Sequence, residues 1–394
     1  MKEKSRFKIA LLTTNNPLSR SALTGTTYCI YQALQEHCGD VNALGPIQSY
    51  RKQILGRSLD KAAQLSTGKR IAYQHLHFVL KREARMIEQK LQQQAYDLIV
   101  AVEATPELAL IRTTIPIALV EAATFAQRRR YDQDYTNLLA SAATRADEVE
   151  SRAYNKADAI LLNSQWAAQS MIQEYCIDPQ RVYSVPFGAP LLTMPPKEIA
   201  LTKRRSYHCT LLFICDDWRQ KGGDIAYTTL LTLERVYNIQ AELIVCGTTP
   251  PAQLTHPRLK IMPQLDRSNK QHRQELERLY LRSDFLLLPT SCDLTGTLCC
   301  EASAYGVPSL VMQGGAVADI VRDGLNGVQL SPTAHGTEYA QQIAQIYLDE
   351  RRYSMLVHTS RQHFEEHLNW DAWGKAAHAI FSFFLSVSSR TSIP

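Results

Sequence analysis

Residues 289–327 read PTSCDLTGTLCCEASAYGVPSLVMQGGAVADIVRDGLNG, placing Asp293 eight positions before Glu301 with a glycine-containing turn between them. The pattern predicts a strand end, a loop carrying Asp293, and a helix that starts near Gly296 and contains Glu301. A helix start presents backbone N–H groups with no intrahelical partner at the positive end of the macrodipole, which makes it a ready anion site. Thr295, Gly296, Thr297 and Leu298 form that start, and the N–H groups of Gly296, Thr297 and Leu298 are expected to be free. The flanking carboxylates suit hydroxyl groups, so the expected ligand is a phosphate with polyols on both sides.

Short apolar runs alternate with helical periods along the rest of the chain. FKIALLT at 7–13, DLIVA at 97–101, IALV at 117–120 and AILL at 159–162 predict buried strands in the first half. TLLFI at 210–214, AELIVC at 241–246, LKIM at 259–262, FLLL at 285–288 and SLVM at 309–312 do the same in the second. Continuous apolar strands interleaved with helices signify parallel sheets covered on both faces. A length of 394 residues exceeds what one hydrophobic core usually serves. The prolines and glycine of VPFGAPLLTMPPKEIALTKRR, residues 185–205, break the periodicity and mark a boundary near residue 190. The expected fold is α/β: doubly wound Rossmann-like domains over 1–190 and 191–370, and a helix over 371–394 returning to the first. Open parallel sheets bind ligands outside the carboxyl ends of their strands, so a central cleft is the expected site.

Hydrophobic residues make up 45% of the chain and charged residues 21%, and no apolar run reaches membrane-spanning length. The segment MKEKSRFKIALLTTNN reads as a first strand, not a targeting signal. Nine scattered cysteines without a CxxC pair argue against a zinc site or disulfide framework and for a reducing, cytoplasmic setting. A net charge of +5 is small for this length, and no aromatic-basic motif points to nucleic acid. Residues 69–91, KRIAYQHLHFVLKREARMIEQKL, predict one amphipathic helix with a cationic side from Lys69, Arg70, Lys81, Arg82 and Arg85. Two readings stand for it: a solvated face, or a peripheral contact with anionic lipid at the inner membrane face or with a charged acceptor.

The acid, seven residues and Glu-Ala-x-Ala-x-Gly-x-Pro of 293–308, with Gly314-Gly315 and Val-x-Asp-Gly-x-Asn-Gly at 321–327, resemble the donor-site signature of family 4 glycosyltransferases, the glycosyl transferases group 1. Further stretches agree in order: Thr24-Gly25-Thr26, KADAILLNSQWAAQSM at 156–171, YCIDPQRVYSVPFGAP at 175–190 and DDWRQKGGDIA at 216–226. The resemblance implies a GT-B architecture, a nucleotide diphosphate sugar held by the second domain, an acceptor held by the first, retention of anomeric configuration, and no metal or other cofactor.

It also implies roles. Lys221 would meet the donor phosphate beside Gly222, with Arg219 as the nearest guanidinium, because Gln220 stands where the family carries arginine. Gly25 would let backbone approach a phosphate. Glu301 would accept from the ribose, and Asp293, where the family commonly has Glu, would address the donor sugar. Pro263, Gln264 and Leu265 would contact the base through backbone. On the acceptor side Thr124 and Phe125 remain, with Ala122 where relatives have Asp. Arg128, Arg129 and Arg130 read as a solvated helix start in preference to an acceptor contact, and His75 and His77 as structural or exposed. The expected activity is hexose transfer to a glycan, glycolipid or metabolite hydroxyl. Its alternatives are a degenerate nucleotide-sugar binder serving as sensor or subunit, and a nucleotide-sugar epimerase, whose extra acids and histidine find no matching cluster.

Overall fold

The computed structural model describes residues 6–14, 16–18, 25–45, 47, 50–203, 208–290 and 293–391. The chain divides into two compact units, Met1–Pro186 with Trp370–Pro394, and Phe187–Asn369.

The first unit is built on β1 (Phe7–Thr13), β2 (Gly39–Ala43), β3 (Leu98–Val102), β4 (Ile117–Glu121), β5 (Ala159–Leu162) and β6 (Val182–Ser184). They pair in parallel in the order β2-β1-β3-β4-β5-β6. Every residue of β3, β4 and β5 is buried, as a sheet covered on both faces requires. Chain order reverses between β1 and β3. There the Thr14 hydroxyl donates to the Glu103 carbonyl at 3.0 Å, and Glu103 takes a left-handed φ of 49°.

The second unit is built on β7 (Cys209–Ile214), β8 (Ala241–Cys246), β9 (Leu259–Met262), β10 (Phe285–Leu288), β11 (Ser309–Met312) and β12 (Gly327–Leu330). These are also parallel, in the order β12-β11-β10-β7-β8-β9. Its reversal lies between β7 and β10, where the Thr290 hydroxyl donates to the Gln220 carbonyl at 3.0 Å. Such reversals open a crevice at the carboxyl ends of the flanking strands.

Two expectations need correction. Residues 69–91 do not form one helix: Ala72 takes φ 48°, a short 3-10 turn covers Tyr73–His75, and the helix begins at His77. Arg70 leaves the cationic side altogether, because its guanidinium pairs with Asp60 at 3.0 Å and with Asp134. The change of unit comes at residue 187 instead of 190. Phe187 is buried in the second unit with its carbonyl accepting from the Cys300 thiol at 3.5 Å, and the Ala189 N–H donates to Leu368 at 3.0 Å. The last helix, Trp370–Thr391, belongs to the first unit. It buries Trp373 and Phe381, and its Gly374 lies so close to the His37 ring that a β-carbon there would sit 2.4 Å from it.

Candidate functional site

In the second unit a cavity of about 290 Å³ opens at the carboxyl ends of the strands, lined by Cys215, Lys221, Gln264, Arg267, Asp293 and Thr297 among others. One wall is the turn after β7. Trp218 anchors it: the ring is buried edge-on against Phe213 at 5.9 Å, and its N–H donates to Asp224 at 2.8 Å. Gly222 follows with φ 80°, a conformation that strains any other residue, and a β-carbon there would meet the Pro289 carbonyl oxygen at 2.2 Å. The close approach of this turn to the end of β10 puts Lys221 on the cavity wall. Arg219 is exposed and does not line it, so the expected guanidinium beside Lys221 is absent from the cavity.

The opposite wall is the start of the helix Thr297–Ala304, capped by Gly296 at φ 64°. Asp293 folds back on its own loop: its Oδ1 accepts from the Thr295 N–H at 2.9 Å and the Gly296 N–H at 2.6 Å. The expectation of a free Gly296 donor is therefore corrected, since an Asx-type turn consumes it. Thr297 and Leu298 line the cavity and hold first-turn positions, where N–H groups find no acceptor within the helix. Thr295 stands behind them, its hydroxyl 3.3 Å from that of Thr297.

Glu301 differs most from its expected place. Its side chain is 0% exposed and is not on the cavity wall. Arg267 grips the carboxylate with both terminal nitrogens, Nη2 to Oε2 at 2.9 Å and Nη1 to Oε1, and the Tyr280 hydroxyl donates to Oε2 at 2.8 Å. Arg267 itself is 30% exposed and lines the cavity. The charge of Glu301 holds it firmly protonated. Gln264 and Leu265 also line the cavity, whereas Pro263 does not, and its carbonyl accepts from the Cys246 thiol at 3.5 Å. Burial, then Asp216, pushes the Cys215 thiol up to about 12, so it stays protonated at neutral pH and is no nucleophile. Sequence reasoning passed over Arg267 and Tyr280. Arg267 was within reach of it, two residues beyond the segment read as touching the base.

The remaining expected residues lie in the first unit. Gly25 caps the helix Thr26–His37 with φ −104°, ordinary extended backbone that any residue adopts, so conformation does not require glycine there; Thr24 lies outside the described residues. Thr124 and Phe125 are corrected as acceptor contacts. Thr124 is 0% exposed, caps the helix Phe125–Tyr131 through a capping box with Gln127, and shares a 2.7 Å hydrogen bond with Ser170. Phe125 is buried against His75 and Tyr135. Arg128 is partly withdrawn from solvent by its pair with buried Glu121, whereas Arg129 and Arg130 are exposed, Arg130 pairing with Glu174 at 2.7 Å. His75 is structural, buried with its Nε2 2.9 Å from Glu150. The same region buries several acids: burial, then Glu83, pushes Glu107 up to about 8, and burial raises Glu121 to about 7 against the pull of Arg128.

Residues 210–363 match the family described as Glycosyl transferases group 1. A D-inositol 3-phosphate glycosyltransferase of Mycobacterium sp. (strain KMS) is 24% identical over 190 residues, 45% of this chain and 42% of that protein. One from Geodermatophilus obscurus is 25% identical over 235 residues, 54% of this chain and 50% of that protein. The chain thus spans about half the length of the curated relatives it matches. Among solved structures, sucrose-phosphate synthase from Thermosynechococcus elongatus superposes with a TM-score of 0.66 at 14% identity, covering 96% of this chain and 100% of that one. Anabaena Alr3699/HepE, solved in complex with UDP, gives 0.62 at 14% identity, covering 95% and 100%. Identities this low establish the fold, which is that of the GT-B glycosyltransferases.

Proposed function

We propose that this chain, whose residues 210–363 carry the group 1 glycosyl transferase match, is a retaining glycosyltransferase that moves a hexose from a nucleotide diphosphate sugar to a glycan, glycolipid or metabolite hydroxyl. The observation that carries the reading is the convergence of Lys221, the first helical residues Thr297 and Leu298, and Asp293 on one cavity at the β7/β10 reversal. As the bond from the anomeric carbon to the diphosphate breaks, negative charge grows on the departing oxygens. An ammonium and helix-start N–H groups that meet those oxygens stabilise that charge more than the ground state, which lowers the barrier. The acceptor oxygen bonds to the anomeric carbon on the face the diphosphate leaves, and its proton passes to the departing phosphate. No protein nucleophile or resident metal is part of this scheme. Structures of Anabaena HepE with UDP and with UDP-glucose support a nucleotide sugar as donor.

A thermal-shift screen of UDP-, GDP-, ADP- and dTDP-sugars identifies the donor, since a ligand that binds only the native state raises its melting temperature. Slow hydrolysis of that donor to free nucleoside diphosphate should follow and disappear in Lys221→Ala. Equal hydrolysis by the variant would remove Lys221 from the scheme.

Two observations favour a second reading, a nucleotide-sugar binder without turnover: the Asp293 carboxylate is turned onto its own loop, and Arg219 is outside the cavity. Calorimetric donor binding with no product from a broad acceptor panel would select it. Peripheral membrane contact is a separate part of the proposal. The helix His77–Leu91 exposes Lys81, Arg82 and Arg85 near Phe78, which is 69% exposed. Protein that fails to float with anionic liposomes at low salt would dismiss it.

A further inference from the structure

Within the cavity read above as the nucleotide-sugar site, and resting on that reading, we propose that Arg267 is the side chain that contacts the nucleoside and that Glu301 is the positioning residue holding it. The two oxygens of Glu301 are already occupied by Arg267 and Tyr280, and no part of its carboxylate reaches the cavity wall. The support behind it is rigid. Tyr280 is fully buried and stacks on Tyr305 with ring centroids 5.2 Å apart and planes within 6°. Glu301 is therefore a fixed template for a planar guanidinium, and the fork of Arg267 matches it.

A guanidinium carries five N–H groups, and two of Arg267's are spent on Glu301. The other three have no protein acceptor among the described residues, and the group lines the cavity. They want oxygen acceptors from a ligand. Which oxygens follows from charge. Paired to a buried carboxylate, Arg267 offers directed donors with little net charge, whereas Lys221, on the turn after β7, provides the cation for the diphosphate. Arg267 lies on the loop that begins at Gln264 and Leu265, also cavity-lining. The geometry thus assigns Arg267 to the neutral oxygens of ribose or base. Glu301 reaches the nucleotide only through it.

The test is calorimetric titration of the full chain with UDP, GDP, ADP, dTDP and, separately, inorganic pyrophosphate. Arg267→Ala should weaken the nucleotide that binds by about tenfold or more while leaving pyrophosphate within about twofold. Arg267→Lys should recover only part of the loss, because an ammonium cannot be held as a fork. Glu301→Gln should weaken the same nucleotide and add nothing in the Arg267→Ala background, the signature of two residues acting as one unit. The pair Arg267→Gln with Glu301→Gln, which buries no charge, guards against misfolding and should show the same loss with a cooperative melt. Unchanged nucleotide affinity in Arg267→Ala, an equal loss of pyrophosphate, or fully additive effects of the two substitutions would each overturn the assignment. If the unaltered chain binds none of the four nucleotides, the donor-site reading itself falls, and this inference with it.

Discussion

The Oδ1 of Asp293 lies 2.6 Å from the backbone nitrogen of Gly296, so the acid nearest the expected donor sugar also closes the turn that starts the helix Thr297–Ala304. Its two tasks can be separated. Asparagine keeps the accepting oxygen and removes the charge, so Asp293→Asn should leave thermal stability nearly unchanged. Asp293→Ala loses the turn bonds and should cost about 1 kcal/mol or more. If the charge assists transfer, Asp293→Asn lowers turnover about tenfold or more despite its native melt. Turnover equal to the unaltered protein would leave Asp293 a structural role alone.

Lys221 and Arg219 are two residues apart and should differ sharply. Lys221→Ala, which removes the cation on the cavity wall, should reduce kcat/KM for donor hydrolysis by about 10²–10³. Arg219→Ala, at an exposed position off that wall, should stay within about twofold. Steady-state kinetics on the two variants decides between them. A large loss at Arg219 would return it to the donor phosphate.

Gly222→Ala places a β-carbon 2.2 Å from the Pro289 carbonyl oxygen at φ 80°. The backbone of Pro289 has no side-chain freedom with which to yield. The substitution should cost about 1–3 kcal/mol and weaken donor binding by displacing Lys221. Denaturant unfolding and the donor KM should move together.

The buried acids of the first unit predict a pH dependence. Glu107 ionises at about 8 in the folded chain against a usual 4.5, so between those values the folded state holds a proton that the unfolded state has lost. Stability from this group is fully present below about pH 4.5 and declines as pH rises towards 8, by at most about 1.4 kcal/mol per pH unit. Glu107→Gln, which is neutral throughout, should flatten the melting curve between pH 5 and 8 and melt higher than the unaltered chain at pH 8. Parallel pH profiles for the two proteins would rule out Glu107 as the source.

The interior strands were legible because burial on both faces makes them continuous apolar runs: β3, β4, β5, β10 and β11 each stand within a residue of the stretch that predicts them. The strands that escaped notice, Gly39–Ala43, Val182–Ser184 and Gly327–Leu330, are short edge strands with half-solvated faces, so no apolar run announces them. The motif around Asp293 and Lys221 could be read because backbone geometry fixes the neighbours of a βα turn. What could not be read were contacts between loops distant in sequence. The link of Arg267 to Glu301 spans 34 positions, and that of Thr105 to Glu121 depends on β3 lying beside β4. Glu301 shows the limit well: spacing located the carboxylate, but only packing shows that it faces an arginine.

The residues 370–391 that seal the first unit are synthesised only after the whole of the second. Until then Thr26–His37 lacks the helix whose Gly374 packs against His37 and Ala33, Trp373 and Phe381 are not yet buried, and the first unit is an unfinished core during translation. Nascent domains generally fold in order from the N-terminus. Here that order is inverted in part, since the inserted second unit has all its strands before the first has all its helices. Loss of the last helix would leave an apolar groove on the first unit, with aggregation as the consequence, even though every residue around the cavity of Lys221 and Asp293 remained in place.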